Sequence, residues 1–194
     1  MSVNWDTRVW ENTTTRTAYA SSAVEVSLLT GANDQPCLPA LFFAGDDRVS
    51  KGIRIEAEGI LSVTGTPTWI FQVRGHTTVG VAQLGGVSLG VSSAITAINN
   101  VTTVLWSLWL NVICITPGLG AGNTTVSCTG QVASGPGFAA PYVYALQPTT
   151  PPVAACTAVM DSSLLWAINL SVTCSASSAS NTCTLKNMRV LTRG

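Results

Sequence analysis

The sequence predicts an all-β protein: an antiparallel β-sandwich of jelly-roll type. Apolar and polar residues alternate in several short segments, which is the pattern of strands with one dry and one wet face. No segment keeps the 3.6-residue period of an amphipathic helix over a useful length. Turn residues separate the segments, and residues 135–152 hold five of the nine prolines, as expected of one long connection. About eight strands of this kind fit one sandwich domain over residues 21–194.

The clearest strand pattern lies in Gly52–Arg74, which we expect to form a β-hairpin. Apolar and polar residues alternate on both sides of Thr64–Pro67, a segment with the glycine and proline of a tight turn. The predicted dry face of the two strands comprises Ile53, Ile55, Ala57, Trp69, Phe71 and Val73. This hairpin should set the register of the fold.

Further strands are predicted at residues 23–30, 104–115, 124–132, 154–160, 164–174 and 182–192. The segments 104–115 and 124–132 should pair with each other. In the first of them the expected inward residues are Trp106, Leu108, Leu110, Val112 and Cys114. Inward residues on the second are Val126, Cys128 and Val132.

Residues 1–20 are predicted to form an extended N-terminal arm, because they are polar and irregular. They contain Trp5 and Trp10, and two indole side chains need a place of burial. Either the arm packs over its own sheet, or it reaches a neighbouring subunit.

Charged side chains are scarce and unevenly placed. They make up 9% of the chain, against roughly 25% in an ordinary soluble protein. The nine basic and nine acidic residues cancel, which argues against a nucleic-acid surface. From Gly75 to Met160 there is no Asp, Glu, Lys or Arg. Because interface cores are depleted in charge, this span predicts contacts with other subunits; a Ser- and Thr-rich surface exposed to water is the alternative.

No stretch has the roughly 18 uninterrupted apolar residues that a membrane-crossing helix needs. The segment MSVNWDTRVWENTTT lacks the basic and then apolar layout of a signal peptide. We therefore expect assembly in a cytosol, without a membrane partner.

The cysteines are Cys37, Cys114, Cys128, Cys156, Cys174 and Cys183, and none forms a C-x-x-C motif. The single histidine, His76, cannot complete a Cys/His zinc set. Cys114 with Cys128, and Cys174 with Cys183, each flank a predicted hairpin and could form a disulfide. Without secretion, buried reduced thiols are the expected state, and neither a metal nor a cofactor is expected.

Catalytic patterns are weak. Glu56 and Glu58 lie on the wet face of one strand and could form a glycosidase pair, but cross-strand charge pairing is the commoner role of such a row. Asp46 and Asp47 are a weak calcium signal. No G-x-S-x-G motif accompanies His76, so no Ser-His-Asp triad is indicated. We do not expect an enzyme.

Four tryptophans lie in predicted strands: Trp69, Trp106, Trp109 and Trp166. Core packing is their favoured role. An exposed one could instead stack on a sugar.

Three motifs follow one another along the chain: G-x-L-S-x-T-G-T-P-T at Gly59–Thr68, V-T-x-x-x-W at Val101–Trp106, and S-A-S-N-T at Ser178–Thr182. In this order they resemble a recurrent type of small virion protein of tailed double-stranded DNA phages. The glycine that precedes the second motif in those proteins is Asn100 here. The resemblance covers most of residues 37–190 and leaves the N-terminal arm outside it.

The resemblance implies a structural component of a phage particle, with no active site to transfer. We expect a decoration (cement) protein on the head surface, assembled in the host cytoplasm, which binds the major capsid protein and itself as a homotrimer. The expected subunit contacts are Trp5, Trp10, Trp109, Phe138, Tyr142 and Tyr144. The alternatives are a tail or fibre domain and a lectin-like module that binds host glycans.

Overall fold

The computed structural model describes residues 7–12, 19–20, 23–29, 35–43, 51–79, 84–98, 100–140, 142–149 and 156–193. Within these ranges the chain is all-β, as predicted, and has no helix that could cross a membrane. In chain order the strands are β1 (Thr7–Asn12), β2 (Tyr19–Ala20), β3 (Val26–Ser27), β4 (Cys37–Leu38), β5 (Gly52–Val63), β6 (Thr68–His76), β7 (Val87–Ser92), β8 (Ile95–Thr96), β9 (Val101–Thr116), β10 (Thr124–Ser134), β11 (Val143–Gln147), β12 (Thr157–Met160), β13 (Trp166–Cys174) and β14 (Thr182–Arg193).

The strands form one antiparallel sheet that curls over on itself, in the order β1-β14-β5-β9-β10-β11-β7-β6-β13-β3. We call β14, β5, β9 and β10 the first wing, and β7, β6 and β13 the second wing. β11 joins the wings by pairing with β10 on one side and β7 on the other. The core lies between them, where the rings of Phe71 and Trp106 approach to 4.8 Å between centroids.

The alternating patterns correctly predict which side chains the core contains. Ile53, Ile55, Trp69, Phe71 and Val73 have no solvent exposure. The predicted inward residues of β9 and β10 are buried as well. Each apolar side chain buried in this way stabilises the fold by about 1.5–3 kcal/mol.

The hairpin predicted at Gly52–Arg74 is wrong, although its two strands and its turn exist. β5 pairs with β14 and β9, whereas β6 pairs with β13, β7 and β8. The two strands therefore lie in different wings and face each other across the core. An alternating pattern shows which side of a strand is dry, and it is equally compatible with pairing side by side or packing face to face. The predicted hairpin between Cys174 and Cys183 is wrong for the same reason, since β13 and β14 also belong to different wings.

Side chains from other loops hold the corner between β5 and β6. The buried Asn181 accepts a hydrogen bond at Oδ1 from the backbone N–H of Thr64, at 2.8 Å. Asn100 Oδ1 accepts from the N–H of Gly65, also at 2.8 Å. Gly65 has φ 77°, a conformation that glycine adopts without steric cost. The backbone donors of the corner are thus satisfied by side chains and not by a hairpin ladder.

Other boundaries follow the predictions more or less closely. β9 and β10 pair as predicted, and the predicted strand at 182–192 is observed as Thr182–Arg193. Of the strand expected at 23–30, the described residues 23–29 form only Val26–Ser27, and of the one expected at 154–160, the described residues 156–160 form Thr157–Met160. β13 begins at Trp166, so Leu164 lies ahead of it and is exposed.

Parts of the predicted N-terminal arm lie in the sheet. β1 pairs with β14 from Thr7 opposite Thr192 to Asn12 opposite Met188, and β2 pairs with the beginning of β14. The rest of the arm, including Trp5, lies outside the described residues.

Hydrogen bonds within a polar cluster join the segment around β3 to the outer side of the second wing. Arg74 donates to both carboxylate oxygens of Glu25, at 2.9 and 2.8 Å. Burial opposes ionisation of Glu25, but hydrogen bonds from Arg74 and Ser171 outweigh it and hold the pKa of this carboxyl below its ordinary value. Ser27 Oγ donates to Asn169 Oδ1 at 2.6 Å. These groups are engaged with each other, so the cluster is structural.

Candidate functional site

The outer surface of the first wing is divided into two parts of different chemistry. The charged face carries the outward charged and amide side chains of β5 and β14: Arg54, Glu56, Glu58, Lys186, Asn187, Arg189 and Arg193. The uncharged face consists of outward side chains of β9, β10, β11 and β12: Leu105, Ile113, Ile115, Ser127, Ala133, Val143, Ala145, Thr157 and Val159. Trp109, on β9, lies at the border.

Strand register arranges the charged face in rows. One row across β14, β5 and β9 is Arg189–Glu56–Trp109, and the next is Asn187–Glu58–Ser107. Cβ atoms of directly opposite residues lie about 4.5–5.5 Å apart. These six residues and Arg54 line a cleft of about 420 Å³, which we call the Trp109 cleft.

Two arginines hold Glu56 at the centre of this cleft. Arg54 Nε donates to Glu56 Oε1 at 2.6 Å, and Arg189 donates to Oε2. Burial opposes ionisation of Glu56, but these hydrogen bonds and the two positive charges outweigh it and lower the pKa of the carboxyl. Because a glycosidase acid needs a raised pKa to carry a proton near neutral pH, Glu56 is not suited to that role.

Arg54 also contacts the Trp109 ring. Its guanidinium carbon lies 5.1 Å from the ring centroid, within the range of a cation–π interaction. Since Arg54 is bound to Glu56 as well, the indole is held against the strand surface by a fixed neighbour. Trp109 is therefore a half-buried wall of the cleft, whereas Trp69, Trp106 and Trp166 are buried in the core.

The second row of the cleft contains two polar groups, Asn187 Oδ1 and the Glu58 carboxylate, that lack a hydrogen-bond or ion-pair partner among the described residues. The register of β14 shifts between Leu185 and Asn187, and this irregularity lies opposite Glu58. Asn187 Oδ1 is buried and has no hydrogen-bond donor among the described residues. Glu58 is exposed and belongs to none of the ion pairs of the described chain.

The uncharged face exposes apolar side chains. Leu105 is 67% exposed, and Ile115, Val143 and Val159 are each close to half exposed. Isolated exposed apolar residues are ordinary, but several on one face without any charge indicate contact with another molecule. This is the location of much of the charge-free span noted in the sequence.

The predicted contact residues fall into three groups. Trp109 is half-buried on the border between the faces, and Tyr142, just before β11, is 47% exposed. Phe138 is fully buried, and Tyr144 is buried with its hydroxyl donating to the Ala139 carbonyl at 2.7 Å. Phe138 and Tyr144 therefore pack within the core of the chain and not against a neighbouring subunit. Trp5 and the side chain of Trp10 lie outside the described residues.

Other candidate chemistry is not assembled in the described part of the chain. No group of three or more His, Cys, Asp or Glu side chains there could hold a metal ion. All six cysteines are free thiols, and burial raises the pKa of Cys128 to about 12, which keeps it protonated and unreactive. His76 is buried at the end of β6. Asp46 and Asp47 lie outside the described residues.

Sequence reasoning missed the contribution of β14 to the charged face. Arg189 and Asn187 sit on the last strand, far from Glu56 and Glu58 in sequence, and only their pairing brings them together. A signal existed in the basic and amide residues that alternate with Met188 and Val190.

No protein-family model matches the chain, and no curated protein matches it in sequence. The functional interpretation therefore depends on the two faces themselves.

Proposed function

We propose that this protein is a structural component of a phage virion, a decoration protein that binds the outside of the head. Its partners would be the major capsid protein and further copies of itself, in a homotrimer. The observation that carries this proposal is the uncharged face, which presents apolar side chains and no charge over four strands.

An uncharged sheet face is suited to contact between subunits. Burying a charged side chain at an interface costs desolvation energy unless it is paired, whereas Val, Ile and Leu side chains gain about 25 cal/mol per Å² of apolar surface removed from water. Val143 lies opposite Ala133 and Val159 opposite Thr125, so the two valines stand near opposite ends of β10 on the same face. A partner that covers both would span the length of this strand and bury apolar side chains at each end.

The three motifs that resemble phage virion proteins lie together in the fold. Asn181 of the third motif bonds Thr64 of the first, and the N–H of Thr103 in the second donates to Ser62 Oγ at 3.3 Å. The motifs therefore build the corner of the sheet and contain no catalytic group. This favours a shared scaffold as the origin of the resemblance.

A jelly-roll winding belongs to the same proposal. β5 pairs with β14 in one wing while β6 pairs with β13 in the other, so two connected strand pairs wrap together around the core. Such wrapping is a feature of jelly rolls, which are frequent in viral capsid proteins.

Decoration would stabilise the head by mass action. A protein that binds the assembled shell and not its free subunits shifts the equilibrium toward the shell. In this proposal the uncharged face makes those contacts, and Trp5 and Trp10 clamp a neighbouring subunit.

The test is to place a charge on the uncharged face. We expect Val143→Lys and Val159→Lys to convert the oligomer to monomer in sedimentation velocity and to reduce occupancy on phage heads at least about tenfold, as expected from burying an unpaired charge. Ala179→Lys is the matched control, because Ala179 is exposed in the turn between β13 and β14.

Two results would contradict the proposal: a wild-type protein that is monomeric and absent from the head in images of the particle, or full occupancy by both lysine variants. Density at the tail would favour the tail or fibre alternative.

A further inference from the structure

We propose that the Trp109 cleft is a binding site for a neutral, hydroxyl-rich ligand, a saccharide. This inference does not depend on the decoration role, because it concerns the charged face and the decoration role concerns the uncharged one. Four features of the cleft lead to it: its charge balance, its exposed carboxylate without an ion pair, its aromatic wall and its largely preformed geometry.

The charges that line the cleft cancel. Two arginines, Arg54 and Arg189, stand against two glutamates, Glu56 and Glu58. Glu56 accepts from both arginines, and the nearby Glu58 supplies the second negative charge that brings the sum of the four groups to zero. A strongly anionic or cationic ligand would disturb this pairing, whereas a neutral ligand would leave it in place.

The acceptor that a ligand can reach is the exposed Glu58 carboxylate, which forms no ion pair among the described residues. Asn187 lies beside it in the same row, but its Oδ1 is buried and has no donor among the described residues, so a ligand cannot contact this atom unless the side chain moves. Hydrogen bonds to an ionised acceptor are stronger than those between neutral groups. Sugar hydroxyls are donors, and two neighbouring hydroxyls of a pyranose can bind the two oxygens of one carboxylate.

Trp109 supplies the apolar contact that a sugar needs. The C–H face of a pyranose packs on an indole ring, and an aromatic contact adds about 0.5–1.5 kcal/mol beyond area burial. Arg54 lies in the row on one side of Trp109, and Ser107 and Glu58 lie in the row on the other. The ring thus has the Arg54 guanidinium over it, 5.1 Å from its centroid, and the exposed Glu58 carboxylate in the row on the other side.

The cleft is largely preformed and of suitable size. Its side chains project from three neighbouring strands of one sheet, and Arg54, Glu56 and Arg189 are held by their ion pairs, so the exposed Glu58 is the main group that a ligand would order. A volume of about 420 Å³ lies within the usual range of ligand pockets and suits one or two sugar rings.

The experiment uses the full-length protein on an array that carries bacterial surface polysaccharides and free neutral oligosaccharides, followed by calorimetric titration with the strongest oligosaccharide. We expect binding to at least one neutral glycan. Trp109→Ala should weaken it roughly tenfold or more, equal to about 1.4 kcal/mol, and Glu58→Gln severalfold. The control Thr129→Ala, an exposed position on β10 outside the cleft, should bind as the wild type does.

Glu58→Gln keeps the test meaningful if Trp109→Ala is unstable, because Glu58 is exposed and unpaired in the described chain. Absence of glycan binding by the wild type overturns the proposal, as does binding that survives both substitutions. Binding to the arrayed polysaccharide and to the oligosaccharide in the titration alike indicates recognition of the sugar itself. Failure of this site leaves the oligomer and the head occupancy unaffected, so the two proposals fail separately.

Discussion

The charged and uncharged faces lie side by side on one sheet and cover the same core. They differ in whether their outward side chains have partners within the chain. On the charged face, Glu56 is bonded to Arg54 and Arg189, so these three charged groups have partners within the chain. On the uncharged face, Val143 and Val159 are about half exposed and nothing in the described chain covers them. Inward residues therefore stabilise the fold in the same way under both faces. The two proposed functions depend on the outward residues, which are charged on one face and apolar on the other.

The largest expected effect tests whether the two faces share one core. Ile55 on β5 and Leu110 on β9 are directly opposite each other and have no exposure. Replacing either with alanine should lower the free energy of unfolding by about 2–5 kcal/mol, measured by chemical denaturation. Ser107→Ala, at an exposed outward position, should change it by less than about 0.5 kcal/mol. A small loss at one of the two core positions would show that the core is not shared.

A smaller effect should distinguish the strands of the two faces in their dependence on the corner between β5 and β6. Asn181→Ala removes a buried acceptor from the Thr64 N–H and should cost about 1–3 kcal/mol, whereas Asn100→Ala, at an exposed position, should cost less than about 1 kcal/mol. Because β14 begins next to Asn181, hydrogen exchange should accelerate at Cys183–Leu185 more than at Cys128–Val132. Equal acceleration in both segments would mean that the corner stabilises both faces alike.

The smallest expected effect is the loss of unfolding free energy at acidic pH. The pKa of Glu56 and that of Glu25 are lowered in the folded state, so both carboxylates stabilise the fold above the ordinary glutamate pKa of about 4.3. That contribution is lost as the pH falls through their lower folded values. The unfolding free energy of the wild type should therefore decrease below about pH 4.3, and Glu56→Gln should show a shallower decrease.

Thr129→Val, on β10 outside both carboxylate clusters, is the matched control for the acid experiment. It should reproduce the pH profile of the wild type, because no titratable group lies on that part of the sheet from Gly75 to Met160 other than His76, tyrosines and cysteines. An unchanged profile in Glu56→Gln would show that its pairing with Arg54 and Arg189 does not contribute to folding.

Local alternation of apolar and polar residues was sufficient to predict the main strands and the buried side of each. The alternation in β9 predicts its buried and outward residues along the whole strand, because side-chain direction in a strand has a period of two and depends on nothing distant. The same pattern failed for the hairpin at Gly52–Arg74. Whether consecutive strands pair or face each other depends on which distant strands compete for their edges, here β14 and β13.

In the candidate site, too, some residues could be predicted from the sequence and others only from the pairing of the strands. Glu56, Glu58 and Trp109 were recognisable as outward polar and aromatic residues in the sequence. Asn187 and Arg189 joined them only through the β5–β14 pairing. Phe138 and Tyr144 proved to be core residues. Phe138 lies in an irregular segment with no period from which burial can be read, and Tyr144 lies on β11, a short strand inside the Pro-rich segment that the sequence predicts to be a connection.

The sequence by itself determined that this protein is all-β, which faces of its main strands are dry, and that a long central span carries no charge. These properties are encoded residue by residue, in alternation and composition. Only the tertiary structure decided which strands are neighbours, and therefore that the charges of β5 and β14 surround Trp109 while the charge-free strands form a separate face. Neighbouring strands are chosen by a balance of long-range packing and hydrogen bonding over the whole sheet, and no short stretch of the chain contains that balance.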